Sequence, residues 1–304
     1  MAITVLVPDD FGMAALSGID GVELVRFDLD RPLPPEAERA EVLIPGVFAQ
    51  ARTIDLIHRL PNLRLLQLLS AGAELWIGRL PDGVMVSTSR GAHGGSTAEW
   101  VIGALLAIYR ELFEFERHRQ ARHWAQHVTD TLQGKRILVV GAGDLGRQLK
   151  RRLDAFDAHA TMVGYRARDG VHGREELPDL IGGHDAVVVM VPVTAETTGM
   201  VDGAFLARMR DGAVLVNAAR GVVVDTDALL AELTSGRLRA ALDVTDPEPL
   251  PPDHPLWTAP GLLLTPHVAG AAAGHRERSY AIAAAEIARF AAGTEPENLV
   301  RGDY

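Results

Sequence analysis

One hexapeptide constrains this chain more than any other. Gly141-Ala142-Gly143-Asp144-Leu145-Gly146 follows the β-branched run Ile137-Leu138-Val139-Val140 without a gap and opens a helical segment, Arg147 to Ala155. Strand, glycine-rich turn and helix in that order are what a dinucleotide pyrophosphate requires. Gly141 permits the tight turn, Gly143 lets the backbone approach the phosphates, and Gly146 lets the helix pack close to the strand. Asp144 and Leu145 lie at the helix start, where free N–H groups and the positive end of the helix dipole favour an anion. These five residues are the first cofactor-binding candidates.

The rest of the chain repeats the rhythm. Apolar runs at Ile3–Val7, Val22–Phe27, Val42–Ile44, Leu63–Leu69 and Val84–Val86 alternate with helix-like segments such as Ala51–Leu60. Met1 to Val7 reads as a first strand, not as a cationic leader with an apolar stretch. A long helical pattern, from about Thr97 to Val128, leads into a second set of runs: Ile137–Val140, Thr161–Val163, Ala186–Met190, Val214–Val216, Ala240–Leu242 and Leu262–Leu264. Nearly continuous apolar runs suit parallel sheets covered on both faces. The expectation is an α/β chain with two doubly wound parallel-sheet domains joined through that helix, and with a loop over Pro247 to Pro260.

Bulk properties narrow the function. A formal charge of −10 and the lack of a long basic run argue against a nucleic-acid partner. The most apolar helix candidate, Trp100 to Tyr109, is shorter than the roughly 20 residues that span a bilayer, so no membrane partner is expected. With no cysteine there is no disulfide and no cysteine-bound metal; no metal is expected at the site, and a cytoplasmic location is the default.

Each strand of the second set ends in a chemical signal. Val163 is followed by Gly164-Tyr165-Arg166, Met190 by Val191-Pro192-Val193-Thr194, and Val216 by Asn217-Ala218-Ala219-Arg220-Gly221. Leu242 is followed by Asp243, and Leu264 by Thr265-Pro266-His267. In open parallel sheets ligands bind outside the carboxyl ends of the strands. His267 could be a surface or capping histidine, but its place at a strand end makes it a candidate proton donor. Arg220 could cap or pair locally; in the same place a guanidinium fork can hold a carboxylate and polarise a carbonyl. Glu248, among prolines, could orient the imidazole and favour its charged form, with Asp246 as a competitor. Asp243 either accepts from a nicotinamide carboxamide or caps the following turn. An acid roughly 20 residues past the glycine turn would accept from the ribose hydroxyls. That place holds Arg166, with Arg168 nearby, so the reading favours NADP(H) over NAD(H).

With these residues in view, the chain resembles the D-isomer-specific 2-hydroxyacid dehydrogenases. The resemblance is carried by VVGAGDLGRQL (139–149), VPVTAETTGMV (191–201), GAVLVNAARGVVVDTDALLAEL (212–233), RAALDVTDPEPLPPDHPLW (239–257) and LLTPHVAG (263–270). LLSAGAELW (68–76) and GAHGGSTAEWV (91–101) are weaker matches. It implies a Rossmann-type cofactor domain (97–275) and a flavodoxin-like substrate domain (1–96 with 276–304). It further implies hydride transfer between NAD(P)H and a small 2-oxo acid or D-2-hydroxy acid, in the manner of a glyoxylate/hydroxypyruvate reductase, and a homodimer built through the cofactor domain.

Carried over residue by residue, Arg220, Glu248 and His267 are the catalytic trio, with Glu248 preferred to Asp246. The loop Ser70-Ala71-Gly72-Ala73 joins Arg220 and His267 in binding substrate. Cofactor candidates widen to Ser96, Val191, Pro192, Thr197, Ala218, Ala219, Asp243 and Gly270. The chain departs from the family pattern at Arg166, at Thr245 where an aromatic is usual, at Glu74-Leu75-Trp76 and at His93. Alternatives are a cofactor-sensing, co-repressor-like binding protein and a phosphoglycerate, formate or phosphite dehydrogenase variant.

Overall fold

Eleven parallel strands among the described residues build two sheets, and both sheets are buried on both faces. The computed structural model describes residues 2–46 and 50–301, so Met1 of the expected first strand and 302–304 of the expected substrate domain lie outside the described residues. The chain divides into two units, one running to His93 and resuming at Ala273, the other spanning Gly94–Ala272.

The first unit contains β1 (Ile3–Val7), α1 (Asp10–Ala15), β2 (Val22–Arg26), β3 (Ala40–Leu43), α2 (Gln50–Ile57), β4 (Leu65–Gln67) and β5 (Met85–Ser87). The second contains α3 (Gly94–Tyr109), α4 (Leu112–Gln120), β6 (Arg136–Val140), α5 (Asp144–Ala155), β7 (His159–Val163), α6 (Leu177–Leu180), β8 (Ala186–Val189), α7 (Gly203–Arg208), β9 (Val214–Asn217), α8 (Thr226–Thr234), β10 (Arg239–Leu242) and β11 (Leu262–Leu264). The chain then returns to the first unit as α9 (His275–Ala291).

The first sheet has the order β2-β1-β3-β4-β5, the flavodoxin-like doubly wound order. Alternate residues feed its two cores: Leu6, Leu43 and Leu66 enter one, while Val5, Val7, Val42 and Leu65 enter the other, where Tyr280, Ala283, Ile287 and Phe290 of α9 cover them.

The second sheet has the order β11-β10-β9-β8-β6-β7. Period-two alternation again sends neighbours to opposite faces. Leu138, Val140, Val187, Val189 and Leu215 pack with Leu206, Leu229 and Leu233 of α7 and α8. Ile137, Val139, Val188, Val214 and Val216 pack with Val101, Leu105, Leu149 and Leu153 of α3 and α5. This two-sided burial is why these strands read as unbroken apolar runs. The order is Rossmann-type with one reduction: beyond β7 the next edge strand shrinks to a single parallel bridge, Val163 to His172.

Three expectations about elements need correction. The helix expected over Thr97 to Val128 is broken. α3 ends at Tyr109, Glu111 adopts a left-handed φ of 51°, and α4 stops at Gln120 with Arg122 again left-handed at 55°. A positive φ cannot propagate a right-handed helix, and the following stretch, Trp124–Asp130, carries no regular element. The expected loop over Pro247 to Pro260 contains one 3-10 turn, Pro255–Thr258, which starts at a proline as helix starts commonly do. The helix after the glycine turn begins three residues earlier than expected, at Asp144. No helix among the described residues is long and apolar enough to cross a membrane.

Candidate active site

The carboxyl ends of the second sheet are level. Pairing aligns Val163 with Val140, Val140 with Val189, Val189 with Asn217, Asn217 with Leu242, and Leu242 with Leu264. The six loops that carry the chemical signals therefore leave one edge of one sheet side by side. The chain reverses direction across the sheet at β6, so the crevice expected of a doubly wound sheet lies at the ends of β6 and β8.

That crevice is shaped by absent side chains. Gly141 has φ of 122°, and a Cβ there would lie 2.4 Å from the Met190 carbonyl oxygen at the end of β8. A Cβ on Gly146 would lie 2.0 Å from the Gly141 carbonyl oxygen, so helix and turn touch backbone to backbone. At Gly143 the situation is the opposite. It is the N-cap of α5, it offers no side chain to the free N–H groups, and a Cβ there would point into open space. A bare helix start with open space above it is a seat for a phosphate, so these residues fit a dinucleotide.

The basic residues near the turn are partly engaged with it. Arg168 donates to the Ala142 carbonyl at 2.8 Å, and Arg147 donates to the same oxygen at 3.3 Å. The Arg166 guanidinium stands 6.0 Å from the Tyr165 ring centre on the exposed rim. Elsewhere on the edge, Thr197 donates to the Pro192 carbonyl at 2.6 Å and accepts from the Thr194 N–H at 2.8 Å, which closes the loop after Val191. Ser96 donates to the Gly270 carbonyl at 3.4 Å. Ala218 and Ala219 are buried in the loop after β9.

The catalytic candidates come from the last three strands. His267 follows β11 with a left-handed φ of 57°. Its Nδ1 lies 2.6 Å from Glu248 Oε1, and both side chains are half-exposed. A carboxylate oxygen accepts in this bond from the tautomer that carries its proton on Nδ1, and Nε2 is the ring's other nitrogen. Glu248, not Asp246, is thus the acid on the imidazole. Arg220 sits in the loop after β9, where its Nη1 donates to the Ala219 carbonyl at 2.7 Å.

Two polar residues whose structural roles the sequence does not display hold these loops. Asn217 is fully buried; its amide donates to the Arg220 carbonyl at 2.9 Å and its oxygen accepts from the Ala219 N–H at 3.0 Å. Asp243, 3% exposed, accepts from Thr265 Oγ1 at 2.6 Å, Val268 N–H at 2.8 Å and Ala269 N–H at 2.8 Å, while its own carbonyl accepts from His267 N–H at 2.7 Å. Its carboxylate braces the histidine loop, a role distinct from the two that the sequence suggests, a nicotinamide contact or a cap on the turn that follows it. Gly221 ties the loops together: a Cβ there would lie 1.8 Å from the Thr245 carbonyl oxygen. An asparagine closing a strand was the only visible sign of the first clamp.

On the other unit, Ser70 donates to the Gly72 carbonyl at 2.8 Å and Ala73 is buried, so the loop 70–73 is a self-closed turn at the end of β4. His93 lies against it, with Nε2 3.0 Å from the Leu69 carbonyl.

Comparison with known proteins bears on the same residues. The family of D-isomer specific 2-hydroxyacid dehydrogenases, through its NAD binding domain, matches residues 102–269. A glyoxylate reductase from Thermofilum pendens is 31% identical over 263 residues, covering 81% of this chain and 77% of the relative. A D-isomer specific 2-hydroxyacid dehydrogenase from Xanthobacter autotrophicus Py2, solved in complex with NADPH and MES, is 31% identical with a TM-score of 0.81, covering 98% of both chains. An NADPH-dependent glyoxylate/hydroxypyruvate reductase from Sinorhizobium meliloti, solved with NADP and sulfate, is 26% identical with a TM-score of 0.82, covering 99% of this chain and 98% of that one.

Proposed function

The chain belongs to the D-isomer specific 2-hydroxyacid dehydrogenase family, and from that premise we propose that it is an NADP(H)-favouring reductase of small 2-oxo acids such as glyoxylate and hydroxypyruvate. The unit Gly94–Ala272 is read as the dinucleotide-binding domain and the other unit as the substrate domain. The observation that carries the reading is the level row of strand ends, which sets the bare glycine turn, Arg220 and the Glu248–His267 pair on one sheet edge.

The seat for the dinucleotide is the turn Gly141 to Gly146 with the loops after β8, β9 and β11. When bound, the nicotinamide supplies and accepts the hydride. Arg220 holds the carboxylate of the acid and polarises its keto group, a bidentate task suited to a guanidinium. His267 gives a proton to the substrate oxygen through Nε2 and takes it back in the reverse direction. Glu248 fixes the tautomer and aim of the ring. Negative charge grows on that oxygen as the carbonyl is reduced, so cations beside it stabilise the transition state more than the ground state. The turn Ser70–Ala73 is read as a source of backbone donors for the substrate.

Preference for NADP(H) rests on Arg166 and Arg168, cations where a ribose-binding acid would stand, and on Arg168 being tied to the glycine turn. NAD(H) remains the alternative cofactor. The homodimer is supported by the exposed apolar residues of α4 and the segment after it in this unit: Leu112 and Phe113, each 53% exposed, Trp124 and Val128.

The test is spectrophotometric. Oxidation of NADPH and of NADH is followed with glyoxylate, hydroxypyruvate and pyruvate. The expected result is turnover with a lower KM for NADPH, a preference that Arg166→Asp weakens. Tighter use of NADH would overturn the reading of Arg166, and no turnover with any 2-oxo acid would favour the cofactor-sensing alternative.

A further inference from the structure

The turn at Ser70 borders a hollow of the first unit. Within the first unit a cavity of about 110 Å³ is lined by the apolar Leu68, Leu69 and Trp76 and by the polar His93, His275 and Arg276. One water needs about 10–15 Å³ of such space, so the cavity admits a substituent of several heavy atoms, larger than the hydrogen of glyoxylate.

Its walls are held in place before any ligand arrives. His93 Nε2 lies 3.0 Å from the Leu69 carbonyl and 3.3 Å from Ser279 Oγ. The buried Ser89 hydroxyl lies 2.9 Å from the Leu68 carbonyl and 3.1 Å from the Ser279 carbonyl. The turn after β4 and the first turns of α9 are thereby fastened to the same two side chains.

The lining is richer in basic groups than the chain as a whole. A protein of formal charge −10 here presents one arginine, two histidines and a single acid, Asp9. Asp9 accepts from the Gly12 N–H at 2.8 Å through one oxygen and pairs with Arg276 at 2.7 Å through the other, an ion pair that a distal carboxylate would have to share or displace. Ser70 is turned inward to the Gly72 carbonyl. Burial, the largest cause, and then the neighbours His93, Arg276 and Arg278 hold the His275 imidazole below its ordinary range, so the ring would meet a carboxylate as a neutral N–H donor and Arg276 would bring the charge.

We propose that this cavity binds a second carboxylate, so that the chain accepts 2-oxo dicarboxylic acids, the distal carboxylate meeting His275 and Arg276 while the intervening carbon lies on Leu68, Leu69 and Trp76. The proposal rests on reading the turn Ser70–Ala73 as substrate-binding, which makes the adjacent cavity the place for the group attached to C3.

The test compares oxaloacetate with 4-methyl-2-oxopentanoate, which has the same shape but no distal charge, and uses glyoxylate, which has no side group, as the reference. The full-length protein is used with its reduced cofactor. The expected result is kcat/KM for oxaloacetate at least about ten-fold above that for its uncharged counterpart, the scale of one charge-assisted hydrogen bond. In Arg276→Met and in His275→Leu the oxaloacetate-to-glyoxylate ratio of kcat/KM falls at least about ten-fold, chiefly through KM. The second variant leaves the Asp9–Arg276 pair in place, so a folding defect in the first does not blunt the test. An equal or better rate with 4-methyl-2-oxopentanoate, or an unchanged ratio in both variants, overturns the proposal. Failure of glyoxylate itself overturns the proposed function instead. The cavity is then decided by calorimetric titration with malonate, where binding that weakens in His275→Leu supports it and no binding to the wild type refutes it.

Discussion

Asp243 shows how one buried carboxylate can set the shape of a catalytic loop. It spends its two oxygens on three donors from residues 265–269, and its carbonyl takes the N–H of His267. That bracing is what keeps His267 at a left-handed φ, a conformation that costs a residue with a Cβ of order 1 kcal/mol or more. Asp243→Ala would strand the buried Ala269 N–H, the partly buried Val268 N–H and the Thr265 hydroxyl. The expected loss is at least about 2 kcal/mol in denaturant unfolding, with kcat falling more than KM rises. An unchanged unfolding midpoint would remove the clamp from the account. Replacing His267 itself by Ala should lower kcat by about 10²-fold or more with little effect on the midpoint, because the ring is half-exposed.

A second histidine carries a pH effect. His184 is 2% exposed, with Nδ1 2.7 Å from the Leu180 carbonyl and Nε2 2.8 Å from Thr161 Oγ1. Burial, the largest cause, holds its imidazole below the ordinary 6.5. The unfolded chain therefore takes up this proton before the folded one does. The contribution is fully present above pH 6.5 and is lost as pH falls toward the folded value. Thermal unfolding from pH 7.5 to 5.5 should show a falling midpoint, with a shallower slope in His184→Gln. Equal slopes would assign the acid sensitivity to other groups, His275 among them, since its imidazole is lowered in the same direction.

At the scale of elements, two glycines on the same sheet edge should behave in opposite ways. Gly221 lies against backbone that cannot withdraw without moving the loop after β10: its added Cβ would sit 1.8 Å from the Thr245 oxygen and 2.0 Å from its carbonyl carbon. Gly221→Ala should displace Arg220, lower the melting temperature and abolish most activity. Gly143 meets nothing within 4 Å, so Gly143→Ala should keep the melting temperature and weaken cofactor binding by about ten-fold or more, read by fluorescence titration with NADPH. A drop in melting temperature at Gly143 would mean that the space above the turn is filled by protein.

These contrasts also mark what the sequence discloses. The strands of the second sheet were legible because two-sided burial makes each a run of β-branched and aliphatic residues, and the strand ends were legible because polar residues interrupt those runs. Glu248 and His267 could be paired from their family motifs, but Asn217 and Asp243 could not be assigned as clamps. A side chain that bonds backbone across two strands leaves no local period. The break at Glu111 was hidden for a related reason. Glutamate is a good helix former, and nothing in the residues around it announces a left-handed turn; the tertiary course of the chain decides it.

At the scale of the whole molecule, the segment that interrupts the expected long helix holds the two most exposed large apolar side chains among the described residues. Trp124 is 92% and Val128 97% exposed, and Leu112 and Phe113 add to them from α4. Large apolar side chains so fully hydrated are the usual mark of a surface that another chain covers. Burying a tryptophan contributes on the order of a few kcal/mol to association, so the pair Trp124 and Val128 should dominate a dimer formed through the cofactor unit. Light scattering after size exclusion should give twice the 32.7 kDa chain mass for the wild type and the single mass for Trp124→Ser combined with Val128→Ser. Tryptophan emission supplies a second reading: on dilution below the dissociation constant it should shift to the red as the Trp124 indole returns to water, and the shift should be absent from the double variant, which keeps Trp76, Trp100 and Trp257. A double variant that stays dimeric, or a wild type that is monomeric at micromolar concentration, would show that this segment is covered by nothing of its own kind.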